Sequence, residues 1–252
     1  MLWPNSRFEL ALLLVISSDA VVNENVAYVN MVRHAEKDPW SGHSLSEIGK
    51  ERAKYYARCM GPWNPPSEMY PAPLGAVFAQ LNATVKDPVE GNYGLSQRSA
   101  DTLRPLAAAT GLKLHMPCKM TDYDCFVQEL QKLMQPDRTV TLCWEHKLFP
   151  YLLTLLAGGS EETRKWPQVC DSKRWKNPWF PEPGKKSLWK GKPFPYHNAC
   201  FDLVWQIRFV RVPGGAWKAV DIKELHTGFG GSASSPCAEG LAPIVTSQLI
   251  FM

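Results

Sequence analysis

The run Val26 to Val32 is apolar, β-branched at three positions and bounded by Asn23-Glu24-Asn25, and it ends abruptly in Arg33-His34-Ala35-Glu36. A short apolar run of this kind reads as a strand buried on both faces, the type used in the middle of a parallel sheet. The charged residues then sit where the strand ends, and open α/β sheets bind ligands in the crevice at that edge.

The rest of the chain supplies matching pieces. Ser44-Leu45-Ser46-Glu47 has the spacing of a capping box, and Leu45, Ile48, Tyr55 and Cys59 recur at helical spacing until Gly61-Pro62. Gly75 to Ala79 reads as a second strand followed by a turn-rich loop. Arg98 to Thr110 reads as a helix ending at Gly111, with Pro105 expected to kink or reset it. Thr139 to Trp144 is a third strand running into Glu145-His146, and Pro150 opens a helix Tyr151 to Ala157 closed by Gly158-Gly159. Phe201 to Val212 and Trp217 to Leu225, joined by Pro213-Gly214-Gly215, form a hairpin. Strands alternating with helices predict an α/β fold: a mostly parallel central sheet with helices on both faces and the hairpin at one edge.

At 252 residues and 45% hydrophobic, the chain fits one ordinary globular domain. A net charge of +4 is too mild to call for nucleic acid. No apolar run reaches the roughly 18 to 20 residues of a membrane-spanning helix. Residues 1–22 read as either a secretory signal or an N-terminal extension: Arg7 precedes the apolar stretch Leu10 to Ile16, and Ser17, Ser18 and Ala20 follow it. Residues 23–252 form the domain. Seven cysteines, with Cys118 and Cys125 flanking a polar loop that a short disulfide could close, tilt the expectation toward a secreted or extracellular protein, with a cytoplasmic location as the alternative. The odd count leaves a free thiol, for which Cys143 in its apolar run is the candidate.

Composition changes at about residues 160–199. Between Arg164 and Tyr196 stand nine Lys or Arg against Asp171 and Glu182, with four tryptophans and six prolines. The segment reads as a basic insertion, either a surface loop pinned by its tryptophans or a flank of the pocket that contacts anionic substrates or an anionic surface.

Arginine beside histidine at a strand end suits an anionic ligand. A guanidinium grips phosphate oxygens bidentately and stays charged, while imidazole supplies a nitrogen nucleophile near neutrality. Arg98 at a helix start, Thr102 one turn later and His146 at another strand end complete a set that could converge above the sheet. In that arrangement Arg33 and Arg98 neutralise a transferring phosphoryl group, His34 attacks phosphorus and His146 donates to an equatorial oxygen. His43, His115, His197 and His226 lack matching neighbours and read as loop or surface residues. The cysteines and histidines show no zinc-type spacing, so no metal is expected, and no cofactor.

Val32-Arg33-His34-Ala35-Glu36-Lys37, Leu45 to Ala53, Gln97-Arg98 to Thr102 and Cys143-Trp144-Glu145-His146-Lys147 together resemble the histidine phosphatase superfamily, the phosphoglycerate-mutase-like fold. The Cys-Trp-Glu-His-Lys string, the Phe201-Asp202-Leu203-x-Trp205 strand and the Cys118-x6-Cys125 loop resemble a group of small fungal-type members. The resemblance implies a three-layer fold, His34 as the phosphorylated nucleophile, Arg33 and Arg98 as phosphate ligands, and His146 as the second phosphate-pocket histidine. Ala35 stands where the family more often has glycine. Lys147 stands where many acid-phosphatase members place an aspartate general acid, which leaves that role open between Glu90 and Glu145. If strand alternation continued, Glu145 would point away from His146. The expected activity is hydrolysis of a small phosphorylated substrate through phosphohistidine. The alternatives are a weakly catalytic member that binds a phosphorylated ligand or partner and, behind it, a phosphoglycerate-type mutase.

Overall fold

The valine-rich run does form a central strand, β1 (Val26–Arg33). The computed structural model describes residues 25–38, 43–60, 67–86, 93–156, 188–189, 192–193, 201–227 and 229. With β2 (Leu74–Ala79), β5 (Leu114–His115), β6 (Arg138–Trp144), β9 (Leu203–Arg211) and β10 (Trp217–His226), β1 makes a six-stranded sheet in the order β10-β9-β1-β6-β2-β5. The pairs β1–β6, β6–β2 and β2–β5 are parallel, whereas β9 runs antiparallel to β1 and β10 antiparallel to β9. The last two strands are the expected edge hairpin, turned at Gly214 and Gly215 with φ of 95° and 87°, a region that favours glycine. Two ribbons stand apart, β3 (Ala83–Lys86) with β4 (Tyr93–Ser96), and β7 (Leu188–Trp189) with β8 (Lys192–Pro193).

Among the described residues four helices cover the sheet: α1 (Glu47–Cys59), α2 (Arg98–Thr110), α3 (Tyr123–Leu133) and α4 (Phe149–Leu156). Successive strand residues point to opposite faces. Val32, Val77, Cys143 and Val204 therefore pack against Tyr56 and Met60 of α1 and its end and Leu103 and Leu106 of α2. Their neighbours Met31, Phe78, Trp144 and Trp205 face Phe126 and Leu130 of α3 and Phe149, Leu152 and Leu153 of α4. Phe78, Phe126 and Trp144 form an aromatic knot with ring centroids 5.0–5.8 Å apart.

The structure corrects several local expectations. The cap of α1 is Ser46, whose hydroxyl accepts from the Gly49 amide at 3.1 Å, so Ser44 and Glu47 do not form the capping box their spacing suggested. Pro105 lies inside α2 without resetting it, and α2 ends at Gly111 in the left-handed region as expected. The loop after β2 contains the β3–β4 ribbon. The stretch read as a polar loop between Cys118 and Cys125 leads into α3, capped by Asp122 accepting from the Cys125 amide.

Cys118 and Cys125 are disulfide-bonded, with Cα atoms 5.6 Å apart, and Cys59 is disulfide-bonded as well. Cys143 is a free, buried thiol, as its apolar setting suggested. Among the described residues no helix is long and apolar enough to cross a membrane. Residues 1–22 lie outside the described residues, as does most of the basic segment 164–196.

Candidate active site

The parallel register of β1 and β6 sets Arg33 opposite Trp144, so the two strands deliver His34 and Glu145-His146 side by side at one edge of the sheet. The His34 and His146 ring centroids are 6.3 Å apart, and donor atoms of His34, Glu145 and His146 all lie within 4.8 Å of one another. Both histidines are buried.

His34 Nδ1 lies 2.8 Å from the carbonyl oxygen of Ala35. A carbonyl only accepts, so the contact fixes the tautomer with the proton on Nδ1 and leaves the Nε2 lone pair unprotonated. Burial, and after it the charges of Arg98 and Arg33, push the His34 pKa well below 6.5, against the opposing pull of Glu145 and the Ala35 bond. The ring is therefore neutral at physiological pH, with a free Nε2 lone pair.

The loop that holds this ring is tied down on both sides. The Ala35 amide donates to Thr102 Oγ1 at 2.8 Å, and that hydroxyl donates to the Arg98 carbonyl at 2.8 Å, joining the β1 loop to the first turn of α2. On the other side, the Ser46 amide donates to the Glu36 carbonyl at 2.9 Å. Gly49 is required there, because a Cβ would stand 2.2 Å from that same oxygen. Thr102, expected in the site by spacing, is thus a clamp on the loop.

Arg33 is buried, yet among the described residues its Nε has no hydrogen-bond partner. Burial lowers its pKa to about 10, with Arg98 and Arg52 adding to the fall and Glu145 and Glu36 opposing it, so it remains charged at neutrality. Arg98 begins α2, and its Nε donates to Ser96 Oγ of β4 at 2.9 Å. Its charge acts on both Arg33 and His34.

Glu145 overturns the alternation argument. Strand β6 stops at Trp144 and a short 3-10 turn starts at His146, so the two-residue period does not carry through. Glu145 Oε1 lies 2.9 Å from His146 Nδ1. The Glu145 amide donates to Gln80 Oε1 at 2.8 Å, which fixes the turn against the end of β2. Burial works against its charge, but contact with His146, the charge of either histidine when protonated and the Lys147 amide hold its carboxyl well below the usual range. His146 is itself lowered by burial and Arg33, with Glu145 pulling the other way. Glu90 lies outside the described residues. His34, Glu145 and His146 are also a donor set that could take a divalent cation. The guanidinium charge of Arg33 and Arg98 on the His34 ring opposes a cation and favours an anion.

Sequence reasoning gave no role to Glu36, Arg52, Asp202 and Phe201, which brace the site from below. Arg52 is fully buried and grips Glu36 with Nε at 2.9–3.1 Å and Nη2 at 2.6 Å, while its Nη1 is 3.6 Å from Asp202. Asp202 also accepts from Thr227 Oγ1 and from the Phe229 amide at 3.1 Å. The ring of Phe201 lies 4.1 Å from Arg33 Cζ. The motif beginning Arg-His-Ala-Glu was visible, but a buried partner for its glutamate had no local signal.

No protein-family model matches the chain, and no curated protein does. Among solved structures it is similar to the protein histidine phosphatase SixA complexed with tungstate, 12% identical over 84% of this chain and 99% of that one, with a TM-score of 0.41. It is also similar to mycobacterial glucosyl-3-phosphoglycerate phosphatase, at 12% identity over 82% and 99% with a TM-score of 0.39. Phosphoglycerate mutase from Plasmodium falciparum matches at 8% identity over 53% and 70%, with a TM-score of 0.34.

Proposed function

We propose that the chain is a phosphomonoester hydrolase of the histidine phosphatase type, working through phosphohistidine on His34. The observation that carries this reading is the buried His34 ring, with Nδ1 engaged by Ala35 and a neutral Nε2, under the charge of Arg33 and Arg98 and beside His146. The His34 Nε2 lone pair attacks phosphorus and the bond to the ester oxygen breaks. Arg33 and Arg98 grip the equatorial oxygens, where charge accumulates, and His146 lies beside the phosphoryl group.

The leaving oxygen draws its proton from the His146–Glu145 pair. Glu145 is ionised, so the proton carried is that of His146, and a phosphate dianion opposes the burial and the Arg33 charge that together lower the imidazole's pKa in the free protein. Water then attacks phosphorus, the P–N bond breaks, the water's proton returns to the pair, and inorganic phosphate leaves.

His34→Ala is expected to abolish phosphate release from a phosphomonoester panel and the acid-labile labelling of the protein, with its thermal unfolding midpoint unchanged. Release near the wild-type rate would end the assignment. Glu145→Gln is expected to slow alkyl phosphates by about 10²–10⁴-fold and p-nitrophenyl phosphate, which needs little proton assistance, far less. An equal loss on both substrates would remove Glu145 from proton transfer.

A second reading, a protein that binds a phosphorylated ligand with little turnover, is favoured by one observation. Among the described residues, the carboxyl nearest His146 is ionised and Lys147 follows it, so no protonated acid stands ready. Ligand binding without phosphate release or label on His34 would select it. Secretion is proposed as well, and the Cys118–Cys125 bond supports it.

A further inference from the structure

Two buried arginines flank the ring of Phe201, and they are used differently. Arg52 Cζ lies 5.9 Å from the ring centroid, with its donors committed to Glu36 and its Nη1 facing Asp202. Arg33 Cζ lies 4.1 Å from the same centroid, and among the described residues no carboxylate pairs with it and its Nε has no acceptor. A carboxylate could have fixed Arg33 as firmly, but it would have neutralised the charge and occupied the fork that grips an oxyanion. An aromatic face holds a planar guanidinium by its π-cloud and consumes none of its N–H donors.

We propose that Phe201 is the positioning residue for Arg33, presenting the guanidinium flat with its donor edge open to the oxyanion. This rests on the phosphoryl-transfer reading of the site. The ring also touches the nucleophile, with centroids of Phe201 and His34 6.3 Å apart, so one side chain sets the relation between Arg33 and His34.

The backbone around Phe201 is suited to that duty. Its carbonyl accepts from Tyr56 Oη at 3.1 Å, anchoring it to α1. The adjacent Asp202 carbonyl accepts from the Thr227 amide at 2.9 Å, and the Asp202 carboxylate holds Phe229 and faces Arg52. The backbone is thereby fixed, and the ring, 2% exposed, is held by the side chains packed around it. It sits just before β9, whose long antiparallel pairing with β1 carries it to the end of the strand that supplies Arg33.

The test replaces Phe201 in the full chain with 4-fluoro-, 3,5-difluoro- and 3,4,5-trifluorophenylalanine, which nearly keep the ring's shape while draining its π-face. Tungstate affinity is read by calorimetry. The expected result is a stepwise loss reaching about tenfold for the trifluoro ring, with the unfolding midpoint unchanged. Phe201→Leu, which fills space without a π-face, is expected to lose at least as much. Equal tungstate affinity across the fluorinated series would overturn the proposal and leave Phe201 as packing. A wild-type chain that neither binds tungstate nor releases phosphate would instead overturn the functional reading, and this inference with it.

Discussion

At the scale of single residues, the chemistry turns on how far burial moves the ionisation of a few groups. His34 takes up a proton near pH 6.5 when unfolded, but in the fold burial and two guanidiniums keep it neutral to a lower pH. As pH falls below 6.5, the unfolded chain binds a proton that the folded site refuses, so the native state loses stability across that window. On the proposed function, catalysis should persist through the same window, because His34 stays neutral until the depressed pKa is reached. Nitrogen-15 NMR of the His34 ring is expected to show the Nδ1-protonated tautomer at neutrality and a midpoint below 6.5. Arg98→Gln should move that midpoint upward, since it removes one of the charges holding it down. A wild-type midpoint at or above 6.5 would mean that solvent reaches the ring far more freely than its burial allows.

At the scale of elements, the site depends on a brace that joins the β1 loop, α1, the start of β9 and the end of β10. Arg52 of α1 is its hub, facing Glu36 and Asp202 with all three side chains buried. Arg52→Met would leave two carboxylates without their counter-charge, and a loss of about 3–5 kcal/mol in urea unfolding is expected. Adding Glu36→Leu to that variant should recover part of the loss by removing one stranded charge. A single-variant cost below about 1 kcal/mol would show that Tyr56, the Gly49 contact and Tyr55, whose hydroxyl donates to the Thr227 carbonyl at 2.7 Å, suffice to hold the elements together.

The elements that sequence made legible were those with uninterrupted local signals. Strands β1 and β6 are apolar runs cut off by charge, and the hairpin turn is marked by Pro213-Gly214-Gly215. Helix α3 has a weaker local signal, because its first turn shares the polar stretch between the two cysteines and only Phe126 and Leu130, one turn apart, mark its buried face. For the site, Arg33, His34, Arg98 and His146 could be named because each ends or begins an element. The orientation of Glu145 was not legible, because strand alternation ends at Trp144, where hydrogen bonding changes from strand to turn. The brace was illegible for a different reason: Arg52 meets Asp202 only through the folded sheet, and no local period encodes that distance.

At the scale of the whole molecule, the sheet order has a kinetic consequence. Strand β6 lies between β1 and β2, although both precede it in the chain. As the polypeptide emerges, β1, α1 and β2 are present while the strand destined to separate them is still to come. The two early strands are both apolar and of similar length, and premature pairing between them would have to be undone before β6 could enter. Parallel pairing across so long a stretch of sequence also closes a large loop, which slows folding. Because β6 brings His146 and β1 brings His34, the two halves of the site meet only at that late insertion. A chain stalled before it would have His34 but not His146, so if the proposed function holds, the onset of phosphoryl transfer reports that the centre of the sheet has closed.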